Sequence, residues 1–353
     1  MRSLRRPPHA LGRLAVRLTA WLALILPSAA LAQGYGGTVY DILVRGDILL
    51  SRGMYNEAIA QFQEARTLCP TPDQTVTSLQ GEGRARLAMG EILPAAGLFE
   101  EAATRFPDDP RVPDLLRDAG GACHRAGQYD RAADLLRRAL ESGPTTEIIP
   151  SIRFQLAQAL RLRGRNAEVV DLLADFESRY PRHPLLPMVL YTLAIAHHDL
   201  RNYEPSEALY RSILERFPGT QAATESYYEL GSVLADAGRP REAAGFFEQY
   251  VDLNPGSPVA ARALERAGDM LLLRSPRRSA ELYALARVKA EVNPEPPNPT
   301  LRISRWLASK RRVAGLLSRI WLVALLGLGA AGALAAAARW ILGRLRRHLA
   351  AKA

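Results

Sequence analysis

The chain of 353 residues has only two cysteines, and aromatic residues make up 7% of it. So few cysteines exclude a small scaffold held together by disulfides. The sequence also lacks the motifs of common enzymes. No glycine-rich phosphate loop follows a strand-like run, and no Ser, His and Asp set has the spacing of a nucleophile elbow or a zinc protease. We therefore expect no catalytic residues and no cofactor.

A metal site is not expected either. The one cluster of metal-ligand type is His197-His198-Asp199. Neighbouring side chains on a helix diverge by about 100°, so these three would point in different directions. The sequence thus predicts no metal ligands.

Acidic residues are absent from both ends of the chain. Residues 1–32 hold five basic residues and residues 300–353 hold eleven, with no acid in either. Of the 46 basic and 36 acidic residues in the chain, the part between these ends therefore has 30 and 36. The net charge of +10 belongs to the ends, so the chain's basicity does not indicate nucleic-acid binding by the middle region.

The first 32 residues have the pattern of a secretory signal peptide. Arginines come first, and an uncharged stretch over residues 18–32 ends in Ala30-Leu31-Ala32. Small residues at such spacing are typical of a cleavage site, which we predict between Ala32 and Gln33. The stretch is short for a membrane span, although an uncleaved N-terminal anchor is the alternative. The pattern predicts export from the cytoplasm.

Residues 320–338 form a run of 19 uncharged residues, long enough to cross a membrane. The alternative is a buried, alanine-rich helix of a soluble domain. Basic residues flank the run on both sides, so the positive-inside rule alone cannot orient it. The signal peptide orients it instead: the region before the span lies outside the cytoplasm, and the basic tail at 339–353 lies inside.

Two further segments connect the middle region to this predicted span. Residues 294–300 are rich in proline and predict a stiff, extended linker. Residues 301–319 combine six cations with apolar residues at roughly helical spacing. They predict a basic amphipathic helix on anionic lipid, or the beginning of the membrane helix itself.

The middle region repeats every 37 residues. The prolines in this register are Pro70, Pro107, Pro144, Pro181, Pro218 and Pro255. A column of small residues has the same period: Gly46, Gly83, Gly120, Ala157, Ala194, Gly231 and Gly268. Further columns begin at Gly53, Ala58 and Phe62. A fixed period of this size indicates a repeat protein.

Apolar residues at helical spacing on both sides of the Gly53 column predict two helices per unit with a turn between them. Glycine at that turn can adopt positive φ. The small residues at Gly46 and Ala58 would let the helices approach, and Phe62 would fill the seam between them. In the last unit Ala284 stands where bulk is expected, as in a degenerate terminal repeat.

These residues and their spacing resemble the tetratricopeptide repeat family. The first unit carries Gly46, Gly53-Met54-Tyr55, Ala58, Phe62 and Pro70, and the sixth carries the same pattern from Tyr227 to Pro255. The resemblance covers seven units over about residues 39–297, within a predicted domain at 33–293. It implies an all-α, right-handed helical-repeat solenoid that binds proteins. The period of 37 residues is longer than the family's usual one. In the sequence of their joints and loops, the repeats resemble those of bacterial envelope proteins. The chain has no cysteine near the predicted cleavage site to which a lipid could be attached.

The two cysteines are not expected to form a bridge. Two helices lie between Cys69 at the end of the first unit and Cys123 in the first helix of the third. At about 8–10 Å per helix layer, this separation exceeds the roughly 7 Å that a disulfide allows between Cα atoms. Cys123 shares a column with leucines, which predicts a core residue.

The resemblance also implies where a partner would bind. In the family the first helix of each unit lines a concave groove, and its inward positions lie three before, one after and four after the small-residue column. The predicted groove residues are Arg117, His124, Phe154, Gln158, Arg161, Tyr191, His198 and Tyr228. Phe154, Tyr191 and Tyr228 would form an aromatic ladder suited to a peptide or an amphipathic helix. Alternatively, these rings pack between adjacent helices.

Together these features predict a scaffold in a bacterial envelope, anchored in the inner membrane with its repeats in the periplasm. It would bind protein partners in the groove and organise an envelope complex. The alternative is an accessory protein of polysaccharide export or cell-wall synthesis that contacts glycan or regulates a synthase, because aromatic rings also stack on sugars. We expect no nucleic-acid partner.

Overall fold

The computed structural model describes residues 38–68, 70–292, 309–320 and 340–341. All regular structure in these residues is helical, as the repeat pattern predicts. The chain divides into two compact bodies, one ending at Asp109 and one beginning at Pro110.

The N-terminal body contains two helix pairs. Its helices are α1 (Val39–Ser51), α2 (Tyr55–Thr67), α3 (Pro72–Ala88) and α4 (Ile92–Arg105). Each packs on the next, and α1 also packs on α3. Thr38 and Thr71 begin the first helix of each pair with a capping box, in which the threonine side chain and the residue three positions later satisfy each other's backbone amides.

The C-terminal body continues the pairs. Its helices are α5 (Val112–Arg125), α6 (Tyr129–Glu141), α7 (Ile149–Leu162), α8 (Asn166–Leu173), α9 (Phe176–Arg179), α10 (Leu186–Asp199), α11 (Tyr203–Arg216), α12 (Gln221–Asp236), α13 (Pro240–Leu253), α14 (Ala260–Leu271) and α15 (Pro276–Val292). Residues 309–320 are also helical. The first helices α5, α7, α10 and α12 contact one another in turn and form a row.

The second helix of the fourth pair is interrupted between α8 and α9. Arg153 on α7 donates hydrogen bonds to the carbonyl oxygen of Leu172 and to the Asp175 carboxylate at this break. Its guanidinium also lies over the Phe176 ring, 5.8 Å from the centroid. Arg153 therefore satisfies polar groups that the interrupted helix leaves open.

The small-residue column and the seam column meet as the sequence predicts. A Cβ added at Gly83 would lie 2.5 Å from Cε1 of Phe99, and one added at Gly231 would lie 2.8 Å from Cε1 of Phe247. Both rings are fully buried. Each of these pairs therefore closes because its first helix has no side chain where the aromatic ring of its second helix enters.

The turn column is also confirmed. Gly53, Gly90, Gly127, Gly164 and Gly238 have φ between 71° and 84°. Arg201 occupies this column in the fifth pair and has φ of 61°. A residue with a Cβ is strained in this region by roughly 1–2 kcal/mol, so the fold imposes the left-handed turn even without glycine.

The seventh pair departs from the predicted register by one residue. Gly268 packs against Tyr283 rather than Ala284, and Tyr283 is fully buried. Ser279 Oγ donates to the Gly268 carbonyl oxygen at 2.8 Å, as Ser206 Oγ does to the Ala194 carbonyl oxygen at 2.8 Å in the fifth pair. The prediction of a degenerate seam at Ala284 is wrong. Helix α15 begins at Pro276, eight residues after Gly268, whereas α13 begins at Pro240, nine residues after Gly231, and this shift brings Tyr283 into the seam.

Several predictions concern residues outside those described. They are the signal peptide at 1–32 with its cleavage between Ala32 and Gln33, the linker at 294–300, the span at 320–338 beyond its first residue, and Cys69. Among the residues that the structure does describe, no helix is both long enough and apolar enough to span a bilayer. Cys123 is fully buried in α5, as expected of a core residue.

One carboxylate is buried in the N-terminal body. Glu82 on α3 is 2% exposed and receives hydrogen bonds from Gln63 Nε2 at 3.0 Å, from Arg86 Nε at 2.9 Å and from Arg66. Burial acts to raise the pKa of this carboxyl, but the three donors outweigh burial and the net pKa is lowered. The ionised carboxylate therefore joins α2 to α3.

We predict that Arg201→Gly stabilises the C-terminal body. Glycine removes the strain of positive φ but adds chain entropy to the unfolded state, so the expected gain is about 0.5–1 kcal/mol. The matched control is Gly164→Arg, which introduces the same strain in the preceding pair and should destabilise by a similar amount. Denaturant unfolding of both variants measures the difference. A loss of stability in Arg201→Gly would contradict the prediction.

The second prediction concerns Glu82. Glu82→Gln leaves two guanidinium groups without their shared carboxylate and should cost about 3 kcal/mol at neutral pH. Because the folded pKa lies below the ordinary value of 4.5, Glu82 stabilises the fold above that value. This contribution disappears as the pH falls through the folded pKa. Unfolding free energies measured between pH 7 and pH 3 should therefore fall more steeply in the parent chain than in Glu82→Gln, and parallel curves would refute the assignment.

Candidate functional site

The predicted groove residues lie on the row of first helices in the C-terminal body. Arg117 and His124 are on α5, Phe154, Gln158 and Arg161 on α7, Tyr191 and His198 on α10, and Tyr228 on α12. Seven of them are half-buried, whereas Phe154 is only 9% exposed. We call the side of α5, α7, α10, α12 and α14 that carries these register positions the inner face.

The two tyrosines of the inner face pack edge-on against the second helix of their own pair. The Tyr191 ring lies 5.9 Å from Tyr210 at an angle of 68°. The Tyr228 ring lies 5.4 Å from Phe247 and 5.6 Å from Tyr250. Burial raises the pKa of Tyr191 well above its ordinary value. The rings are thus fixed in place by packing and still keep part of their surface open.

The arginine and histidine of α5 are engaged locally. Arg117 pairs with Asp114 at 2.7 Å and with Asp118 at 2.9 Å, so its charge is compensated within its own helix. The His124 ring lies edge-on to Tyr129 at 5.4 Å. Burial lowers the pKa of His124, and the nearby Arg161 lowers it further. His124 is therefore neutral near pH 7.

His198 joins two helices of the row. Its Nε2 lies 2.9 Å from Oδ2 of Asp236, so α10 is bonded to α12. Its neighbours have other surroundings. Asp199 accepts a hydrogen bond from Asn166 at 3.1 Å, while Nδ1 of His197 is buried without a hydrogen-bond partner. The three residues diverge, and within residues 38–68, 70–292, 309–320 and 340–341 no group of His, Cys, Asp and Glu is placed to hold a metal ion.

The sequence did not predict two charged residues near the tyrosines of the inner face, Glu229 on α12 and Arg266 on α14. Burial raises the pKa of Glu229 on α12, and His198 and Arg266 oppose this effect. Arg266 on α14 donates to Ser232 Oγ at 2.6 Å and to Tyr228 Oη at 3.4 Å. Its guanidinium also lies 4.9 Å from the centre of the Phe247 ring. Arg266 lies two residues before Gly268 of the small-residue column, at a position that the register does not predict to face inward.

A cavity of about 330 Å³ lies away from these residues, between α6, α7 and α8. Leucines 140, 156, 160 and 172 form its apolar part, and Arg137, Glu141, Glu168 and Asp171 complete the lining. None of the predicted groove residues lines it. Arg137 and Glu168 already pair across it at 3.2 Å, so the cavity is a cleft between helix pairs rather than part of the inner face.

A family model described as tetratricopeptide repeat matches residues 81–146, 191–258 and 228–293. A search among curated proteins found no significant match.

Two solved structures share the fold. One is a tetratricopeptide repeat protein from Parabacteroides merdae, at 12% identity and a TM-score of 0.54, covering 77% of this chain and all of its own. The other is the C-terminal part of a repeat-containing protein of this type from Cytophaga hutchinsonii. It is 14% identical with a TM-score of 0.55, and the match covers 74% of this chain and 98% of that one. At such identities the likeness shows the fold alone.

The matched repeats, the helix pairs and the packing of seam rings against the small-residue column all indicate the same repeat fold. Proteins of this class typically mediate protein–protein interactions. The chain carries tetratricopeptide repeats.

Proposed function

We propose that the protein is a membrane-anchored scaffold of the bacterial periplasm that binds a peptide or helix of a protein partner on the inner face. Through this contact it organises a complex of the cell envelope. The observation that carries the proposal is the row of first helices, where half-buried Tyr191, His198 and Tyr228 lie on adjacent, contacting elements.

Packing prepares these side chains for binding. Tyr210 holds the Tyr191 ring, and Phe247 and Tyr250 hold the Tyr228 ring. Side chains that are already fixed lose little conformational entropy when a ligand arrives. A tyrosine also offers both apolar area and a hydroxyl, which suits a peptide backbone and its side chains.

Charged groups beside the tyrosines would set the preference for a ligand. Glu229 and Glu225 both lie close enough to Tyr191 to raise the pKa of its hydroxyl further, and they outweigh Arg161, which acts to lower it. Carboxylates next to aromatic rings attract cationic side chains, and the rings add a cation–π contribution. A peptide with lysine or arginine among apolar residues therefore fits this surface.

The proposed location rests on the two ends of the sequence. The pattern of residues 1–32 supports export, and the uncharged run at 320–338 supports a single membrane anchor. With export from the N-terminus, the repeats face the periplasm and the basic tail faces the cytoplasm. A scaffold in this arrangement recruits its partner at the surface of the inner membrane.

The first test is photocrosslinking in cells with a photoreactive amino acid at position 191. We expect a discrete protein adduct, because this side chain lies on the inner face. The matched control is position 180, a half-buried tyrosine after α9 that packs on Phe176 at 5.0 Å. Capture of glycan only would support an accessory role in polysaccharide chemistry instead. Equal protein capture at both positions, or none at either, would refute the inner face as the binding surface.

The second test addresses topology. A reporter that is active only outside the cytoplasm should be silent when it is fused after Lys352. The same reporter inserted in the loop at Gly219, between α11 and α12, should be active. Activity at both positions would contradict a single C-terminal span.

A further inference from the structure

Part of the predicted juxtamembrane segment is bound to the seventh helix pair. Lys310, in the helix at 309–320, places its Nζ 2.7 Å from Oε1 of Glu265 and 2.8 Å from both carboxylate oxygens of Asp269. Nζ also lies 5.6 Å from the centre of the Tyr283 ring. Farther along the same helix, Ala314 is fully buried. The lysine is thus held by two acids of α14 and an aromatic ring of α15.

The acids that receive Lys310 occupy the register positions of a partner site. Glu265 lies three residues before Gly268, and Asp269 lies one residue after it. These positions correspond to Tyr191 and Tyr228 (three before) and to Ser232 (one after) in preceding pairs. The helix at 309–320 therefore contacts the inner face of the seventh pair.

The same recognition pattern occurs one pair earlier. Arg266 reaches Tyr228 and Ser232, which lie three before and one after Gly231, and its guanidinium lies over the Phe247 ring in the seam. Lys310 repeats these contacts on the seventh pair, with Tyr283 as the ring in the seam. A cation from the next helix thus fits the inner face of each of these two pairs.

The acids at the seventh pair need a positive partner. Burial raises the pKa of Glu265, and Lys310 counteracts this effect, as does Arg262, whereas Asp269 adds to it. The hydroxyl of Tyr283 donates to Asp269 Oδ1 at 2.5 Å and orients that carboxylate. Side chains of Glu265 and Lys310 are only 16% and 18% exposed, so removing the lysine would leave a largely buried acid without its cation.

We propose that Glu265, Asp269 and Tyr283 form a binding site for a cationic side chain presented by a helix, and that helix 309–320 occupies it as a displaceable ligand in the same chain. Occupancy closes this end of the inner face to a partner with a basic helix. The closing role rests on the proposed function, whereas the cation site itself does not. A tethered ligand acts at an effective concentration on the order of millimolar, so it excludes a competitor of moderate affinity.

The test is the binding of a fluorescent peptide with the sequence of residues 301–320 to the full-length protein in detergent. In Lys310→Glu, repulsion from Glu265 and Asp269 should expel the helix and vacate the site. We expect the peptide to bind this variant at least tenfold more tightly than the parent chain. The triple variant Lys310→Glu, Glu265→Lys, Asp269→Lys should lose the gain, because its site repels a cation.

Two controls separate the site from general charge attraction. Arg311→Glu makes the same change in charge at an exposed neighbour in the same helix, and it should bind the peptide as the parent chain does. A peptide with Lys310 replaced by alanine should bind Lys310→Glu at least tenfold more weakly than a peptide with Arg311 replaced by alanine. These two peptides carry the same net charge.

The readout distinguishes this proposal from the proposed function. Equal peptide binding to the parent chain and Lys310→Glu, or binding that ignores Lys310 in the peptide, would overturn the cation site. Hydrogen exchange over α14 and residues 309–320 should rise in Lys310→Glu while α10 and α12 keep their protection, which shows that the fold persists. Unchanged exchange would also overturn the proposal. Crosslinking at position 191 reports independently on the partner-binding role.

Discussion

The fold depends on the close approach of two helices at a residue without a side chain. In the contacts of Gly83 with Phe99 and of Gly231 with Phe247, the aromatic ring fills the space that a Cβ would occupy. Because interiors are close-packed, this contact fixes both the separation and the register of the pair. The turn that joins the helices then has little freedom, which explains why even Arg201 adopts positive φ there.

The seventh pair shows which of these constraints is dominant. Its second helix begins one residue sooner after the small residue, so Tyr283 rather than Ala284 lies against Gly268, and Ser279 is bonded as Ser206 is in the fifth pair. Burying the ring of Tyr283 gains far more free energy than burying the methyl group of Ala284, so α15 takes the register that buries the tyrosine. The contact between the seam ring and the small residue decides the register of the two helices. In the other pairs the 37-residue period agrees with that register.

The inner face inherits its order from the same seam. The rings that fill the seam also support the side chains above them: Phe247 underlies Tyr228 and Arg266, and Tyr283 underlies Lys310. A cation above a ring and beside polar or acidic groups thus recurs on neighbouring pairs. The core residues of the seam therefore also pack beneath the side chains of the inner face, the surface that we propose for partner binding.

The sequence by itself determined the helix pairs, the turn glycines and the seam of the pairs before the seventh, because the same residue types recur there every 37 residues. It also placed Tyr191, His198 and Tyr228 on contacting helices, since helical spacing and register fix which residues share a face. Only the tertiary structure decided that Phe154 is buried and that Lys310 reaches Glu265 and Asp269. The Lys310 contact joins a segment outside the repeats to the last helix pair, and it depends on distances that a repeat pattern does not encode.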